Sequence, residues 1–324
     1  MFNLKNKSLG RNLKDVSDVF FSLGGSKKEE KATSQEDKTF FLRRPKRFAR
    51  VIPITSGKGG TGKSMVTSNL SIELVKCGKK TVIIDADLGL ANLHLLMGKR
   101  PRYNIINLLD DNKEVREIVV KSAGGVKLVA GASGITELAN LTLDQRKILV
   151  NKLSDLEKNN DIILVDTGAG IHLNTLMFLH ACQEMIVVTN PDITAITDAY
   201  AVIKTTVEYN KNVIIGVIVN KTKKVEDAQV VYNKLSSIAL KFLNIHIQNY
   251  GFIFEDDAIG RSILKKIPVS LSMDKTRSGE CLKLIGQKIA LGMDKKIEDI
   301  IHRQQSYFGR LSAILEDIGK RGVL

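Results

Sequence analysis

The chain has 324 residues, 43% hydrophobic and 26% charged, enough for one large α/β domain or two modest ones. Its apolar runs last only a few residues, far short of the ~20 a spanning helix needs, and the opening Met-Phe-Asn-Leu-Lys-Asn-Lys lacks the apolar centre of a secretory signal. With 49 basic and 35 acidic side chains, the net charge of +14 favours anionic partners, while three separated cysteines (Cys77, Cys182, Cys281) exclude a disulfide framework and suit a reducing cytoplasm.

In chain order, the first expected element is a short amphipathic helix over 13–23, with apolar Leu13, Val16, Val19, Phe20 and Leu23 on one stripe. Residues 26–39 are polar, charged and aperiodic, and read as a flexible linker. Half of the net charge lies in residues 1–50, and a basic cluster (Arg43, Arg44, Lys46, Arg47, Arg50) suits either a solvated face or a lipid or protein partner. From residue 51, short β-branched runs recur at 51–55, 81–84, 126–130, 161–165, 185–189, 213–219 and 251–254, with helical stretches between most of them. Several are apolar on both faces. The expected fold is therefore α/β: a mostly parallel sheet flanked by helices. The expected organisation is an N-terminal extension with linker (1–47), one domain (48–292) and a C-terminal amphipathic helix (293–324).

The run Gly57-Lys58-Gly59-Gly60-Thr61-Gly62-Lys63-Ser64 follows the first strand and opens a helix, fitting a phosphate loop. Its glycines let backbone N–H groups wrap phosphate, and the helix N-terminus adds positive potential. Lys63 is expected on the β- and γ-phosphates and the Ser64 hydroxyl on Mg2+. Asp85 and Asp87 follow the second strand, at the crevice where such sheets bind ligands. Asp85 suits the Mg2+ shell or, alternatively, the cap of the next helix. Asp87 suits the attacking water. Asp166 ends an apolar strand before Thr-Gly-Ala-Gly170 and suits the metal through water. After Asn220 comes Lys221-Thr222-Lys223, with no carboxylate to meet the guanine N–H donors, so ATP is favoured and Asn220 is expected at the adenine edge.

These residues together resemble the MinD/ParA family of phosphate-loop ATPases, and within it the FlhG group that regulates flagellar number and placement. The carriers are KGGTGKS (58–64), DADLGLANLHLLMG (85–98), GASGITELANL (131–141), DIILVDTGAGI (161–171) and TNPDITAITDAYA (189–201), and the resemblance spans about 48–292. It implies a phosphate-loop NTPase fold of the MinD/ParA type and an ATPase that closes as a homodimer around ATP and Mg2+. It implies that Lys58, the signature lysine of a deviant loop, reaches the other subunit's nucleotide. Asp87 would be the water-orienting acid. Asn92 falls in a dimer-dependent switch, and Asp198 matches the acid that holds the signature lysine when the dimer is apart. It further implies a cytoplasmic protein, peripheral at the inner face of the cell membrane, with an FlhF-like GTPase and flagellar basal-body proteins as partners. The sequence departs from the family at Thr61, where Val is usual, and at Phe254, which replaces a proline near adenine. A DNA-binding, ParA-like partition role and a division-site MinD role are the alternatives.

In 294–319, Ile297, Ile300, Ile301, Phe308, Leu311, Ile314, Leu315 and Ile318 recur at three and four, forming one stripe. Flanking Lys320 and Arg321 suit anionic lipid. The same stripe equally suits docking on the protein itself or on a partner helix.

Overall fold

Strands that are apolar on both faces are satisfied only inside a sheet covered on both sides. A computed structural model, describing residues 48–87, 91–109, 113–132, 141–272, 275–292 and 306–321, has this arrangement. In chain order the elements are β1 (Arg50–Ser56), α1 (Lys63–Lys76), β2 (Thr81–Ala86), α2 (Leu93–Leu96), α3 (Val115–Ile118), β3 (Val119–Lys121), β4 (Lys127–Val129), α4 (Leu143–Leu153), α5 (Leu156–Asn159), β5 (Ile162–Ala169), α6 (Leu173–His180), β6 (Glu184–Thr189), α7 (Ile193–Tyr209), β7 (Ile214–Thr222), α8 (Val225–Leu243), β8 (Gln248–Phe254), α9 (Asp257–Lys265), α10 (Arg277–Leu291) and α11 (Tyr307–Arg321). The strands form one sheet in the order β3-β4-β2-β5-β1-β6-β7-β8. All pairs are parallel except β3 with β4. The seven expected strands are present. β3 is additional, and its three residues are too few to show a period.

The chain leaves β1 in one direction through α1 to β2, and later runs β6, β7, β8 in the other direction through α7 and α8. Right-handed crossovers put those two sets of helices on opposite faces. α10 joins the first face, packing on α1 and β8. The reversal beside β1 opens a crevice at the C-terminal strand ends, where α/β sheets take ligands. Ile52, Ile54, Ile83, Ile163 and Val187 are fully buried beneath it.

The opposite end of the sheet is tied by a buried polar cluster. Arg50 Nε donates to Glu184 Oε2 at 2.6 Å, its Nη2 to Oε1 at 2.5 Å and its Nη1 to the Ile289 carbonyl at 2.6 Å. Tyr250 donates to the same Glu184 carboxylate at 2.6 Å. Arg50 is thus a structural brace and not part of a solvated or lipid-facing basic cluster. The other four bases of that cluster, with the expected helix at 13–23 and linker at 26–39, lie outside the described residues.

Of the C-terminal stripe, α11 is described and is docked. Tyr307, Phe308, Leu311 and Leu315 are buried against α4 and α6. Ile297, Ile300 and Ile301 lie outside the described residues. The helix start is held by Glu157 at the end of the preceding layer, which accepts from the Tyr307 N–H at 2.8 Å and from the Ser306 hydroxyl. An acid at a helix N-terminus meets its unpaired N–H groups and its positive dipole end. Arg310 Nε donates to the Ala181 carbonyl at 2.7 Å, fixing the second turn.

Candidate nucleotide site

The loop from Gly57 to Gly62 joins β1 to α1, so the α1 N-terminus points into the crevice. Gly62 has φ 93°, a left-handed conformation, and a methyl there would stand 2.3 Å from Asn220 Nδ2. Only glycine meets both demands. Gly57 is equally confined, since a methyl would stand 2.1 Å from the Asp198 carbonyl carbon. Two residues at the end of β7 brace the loop from outside. Asn220 Nδ2 donates to the Thr61 carbonyl at 2.7 Å, and Lys221 Nζ donates to the Gly60 carbonyl at 2.8 Å. Asn220 Oδ1 is buried with no partner among the described residues, an acceptor that an exocyclic amine of a base would satisfy.

β2 and β5 pair so that Asp85 and Asp166 stand side by side. Both are buried, as is Lys63. Lys63 Nζ donates to Asp166 Oδ1 at 3.0 Å. Thr67, one turn further along α1, places its hydroxyl 2.9 Å from the same oxygen. Asp85 Oδ2 accepts from the Leu93 N–H at 3.0 Å, and its Oδ1 accepts from the Asp87 N–H at 3.3 Å. Asp85 therefore does cap the next helix, while its carboxylate still lies beside Asp166. Asp87 sits at the crevice, its Oδ1 3.9 Å from where a methyl on Gly168 would be. Ser64 is half-buried at the start of α1. The carboxylates and the Ser64 hydroxyl are hard oxygen donors of the kind Mg2+ takes. Among the described residues no three His, Cys, Asp or Glu side chains form a ready-made cage. Phosphate oxygens would therefore complete such a shell.

Burial, and after it the neighbouring Asp166 carboxylate, push the Asp85 carboxyl up to about 7. The folded chain then keeps a proton that the unfolded chain has already lost, so stability falls as pH rises through 7. From pH 6 to pH 8 the nucleotide-free protein is expected to lose about 1 kcal/mol. Melting temperature against pH checks this: Asp85→Asn should flatten the slope, and an unmodified chain with no slope would contradict it.

Lys58 points away from Lys63. Its Nζ donates to Asp192 Oδ2 at 2.7 Å and lies 2.5 Å from Thr194 Oγ1. The Lys58 contact, then the Thr194 hydroxyl, hold the Asp192 carboxyl down at about 2. This corrects the expectation for Asp198. The acid on Lys58 is Asp192, the N-cap of α7, because Asp198 lies nearly two turns on with its backbone packed behind Gly57. Asn92 is exposed at the N-cap of α2, outside the cluster around Lys63. Leu88, Gly89 and Leu90, and most of 131–141, lie outside the described residues.

Sequence reasoning missed Thr67, Asp192 and Lys221. Thr67 was findable, since residues four apart share a helix face. So was Asp192, since Asp-Ile-Thr before an apolar-periodic run is an N-cap pattern. Lys221 was not, because it has φ 56°, which side chains rarely adopt and sequence does not announce.

A protein-family profile, the CobQ/CobB/MinD/ParA nucleotide binding domain, matches residues 52–269. Antiactivator FleN of Pseudomonas aeruginosa is 32% identical over 240 residues, covering 74% of this chain and 86% of FleN. The flagellum site-determining protein YlxH of Helicobacter pylori is 38% identical over 216 residues, 64% of this chain and 71% of YlxH. Among solved structures, the septum site-determining protein MinD of Pyrococcus horikoshii, complexed with Mg-ADP, superposes with a TM-score of 0.63 at 25% identity, covering 79% of this chain and all of that one. The profile begins on β1 and takes in the phosphate loop, both carboxylate strands and the end of β7; with that extent and those relatives, this chain belongs to the CobQ/CobB/MinD/ParA family of nucleotide-binding proteins.

Proposed function

We propose that this chain is a MinD-like ATPase switch that regulates flagellar number or placement: ATP closes a homodimer and hydrolysis opens it. One observation carries the switch. Lys58, inside the phosphate loop, pairs with part-exposed Asp192 and Thr194 and not with the buried Asp166 that Lys63 holds, and from there it would reach a second subunit's nucleotide. The flagellar assignment is supported by YlxH, a relative named for flagellum site determination.

In this reading Lys63 exchanges Asp166 for the β- and γ-phosphates. Ser64, Asp166 and Asp85 would hold Mg2+, which would supply positive charge against the phosphates. Asp87 orients water from beside Gly168, and Asn92 carries the dimer-dependent switch. Asn220 Oδ1 accepts from the adenine amine. Ile171, Leu173 and Ile193 flank the loop with exposed apolar side chains that a second subunit covers.

Asp192→Ala releases Lys58 in the resting state. ATP-dependent dimerisation is then expected at a protein concentration about two- to fivefold lower, read by analytical ultracentrifugation. An unchanged midpoint would contradict a holding role for Asp192.

No helix among the described residues is long and apolar enough to cross a membrane. We place the protein in the cytoplasm, peripheral at the inner face of the cell membrane, with the C-terminal helix as a reversible anchor that must first leave α4 and α6. An FlhF-like GTPase and flagellar basal-body proteins are the partners. Flagella counted by electron microscopy in a deletion strain test the reading. A changed number or position, restored by the intact gene and not by an Asp87→Ala copy, supports it. Normal flagella with misplaced septa or lost plasmids would overturn it in favour of division or partition.

A further inference from the structure

α9 is amphipathic in an unusual direction. Its inward side offers buried Ala258 and half-buried Ile259, while Ile263, Leu264 and Ile267 are 43%, 84% and 51% exposed. Leu264 is the most exposed large apolar side chain among the described residues. The three are held together by the helix end. The Lys266 N–H donates to the Ile263 carbonyl and the Ile267 N–H to the Ser262 carbonyl, both at 3.0 Å, with Lys266 left-handed at φ 55°. This paired closure reverses the chain and fixes Ile267 beside the last turn.

The surroundings are basic. Arg261, Lys265 and Lys266 are exposed, and no acid occurs from Ala258 to Ser272. The Lys266 carbonyl sits so close to Gly98 that a methyl there would stand 2.7 Å from it. Half-buried Lys99 and exposed Arg100 follow Gly98 directly in the chain. The acids Glu255, Asp256 and Asp257 are at the other end of the helix, where the N-cap Asp256 also feels the charge of Arg261.

We propose that this ridge, Ile263, Leu264 and Ile267 with Arg261, Lys265 and Lys266, is a second membrane-contact site that docks on anionic phospholipid. The inference rests on the peripheral-membrane reading above and deepens it. A protruding apolar ridge with a cationic rim matches a bilayer interface, which takes apolar side chains between lipids and cations on their phosphates. The apolar side chains of α11 are covered in this conformation and cannot serve first. α9 follows β8 and packs on the turn at Val269–Leu271, which also meets α1 and α10, whereas α11 packs on α4 and α6 across the sheet. In its docked position α11 therefore sits away from α9, among a different set of helices.

Co-sedimentation of the full chain, in ATP and in ADP, with vesicles of phosphatidylglycerol and phosphatidylcholine and with phosphatidylcholine alone tests this. The unmodified chain is expected to bind the anionic vesicles only, and less as salt rises. Leu264→Ser/Ile267→Ser and Lys265→Gln/Lys266→Gln should each bind about tenfold more weakly, with ATP affinity kept as the control for folding. Equal binding by the Ser and unmodified chains overturns the α9 site while leaving the membrane reading, and turns the ridge toward an acidic protein partner. No vesicle binding by the unmodified chain in either nucleotide overturns both.

Discussion

Lys63→Ala is expected to lose ATP and ADP binding by about a hundredfold or more, the worth of roughly 3 kcal/mol of charge-assisted contact. No neighbour replaces it. Lys58 is turned outward onto Asp192, and Lys221 is committed to the Gly60 carbonyl. The same substitution removes the cation from two adjoining buried carboxylates, Asp85 and Asp166. Breaking a buried pair in this way costs about 3–5 kcal/mol, so the melting temperature should fall as well. Lys63→Gln keeps a hydrogen-bond donor beside Asp166 and separates lost binding from lost folding. Calorimetric titration checks the result, and normal affinity in a folded variant would remove the loop from the site.

Asp87→Ala is expected to bind ATP within a few-fold of the unmodified chain and to lose about 10²–10⁴-fold in hydrolysis. Asp87 stands at the end of β2 facing Gly168, beyond the Lys63–Asp166 pair that meets the triphosphate in the proposed mechanism. Closure then persists because nothing cleaves the ligand that holds it, and the dimer accumulates with ATP. Phosphate release and gel filtration together check this. Full activity, or a monomer that still turns over, would refute the role of Asp87.

The fold was legible where chemistry is local. β-Branched runs such as Val213–Val219 announce buried strands, and Gly-Lys-Ser after a strand announces the phosphate loop. The short strand β3 was not legible, because Val119–Lys121 takes its conformation from pairing with β4 and not from its own pattern. The site was legible as a set of motifs but not as a set of contacts. Asp85 and Asp166 are 81 positions apart, and only the β2–β5 register makes them neighbours. The choice of Asp192 over Asp198 as the partner of Lys58 depends on which turn of α7 abuts the loop, and sequence spacing does not contain that distance. Glu157 gave no signal at all. Its partners, Ser306 and the Tyr307 N–H, lie about 150 positions away in the chain, so an acid in the first turn of α5 looks like any surface charge.

In the proposed switch, nucleotide controls assembly through Lys58. Sedimentation velocity of the full chain with ADP and with a non-hydrolysable ATP analogue, for the unmodified protein and for Lys58→Ala, checks this. A monomer with ADP, a dimer with the analogue, and a Lys58→Ala chain that binds the analogue yet stays monomeric are the results expected. The same mass in both nucleotides, or a Lys58→Ala chain that dimerises as readily as the unmodified one, would contradict it.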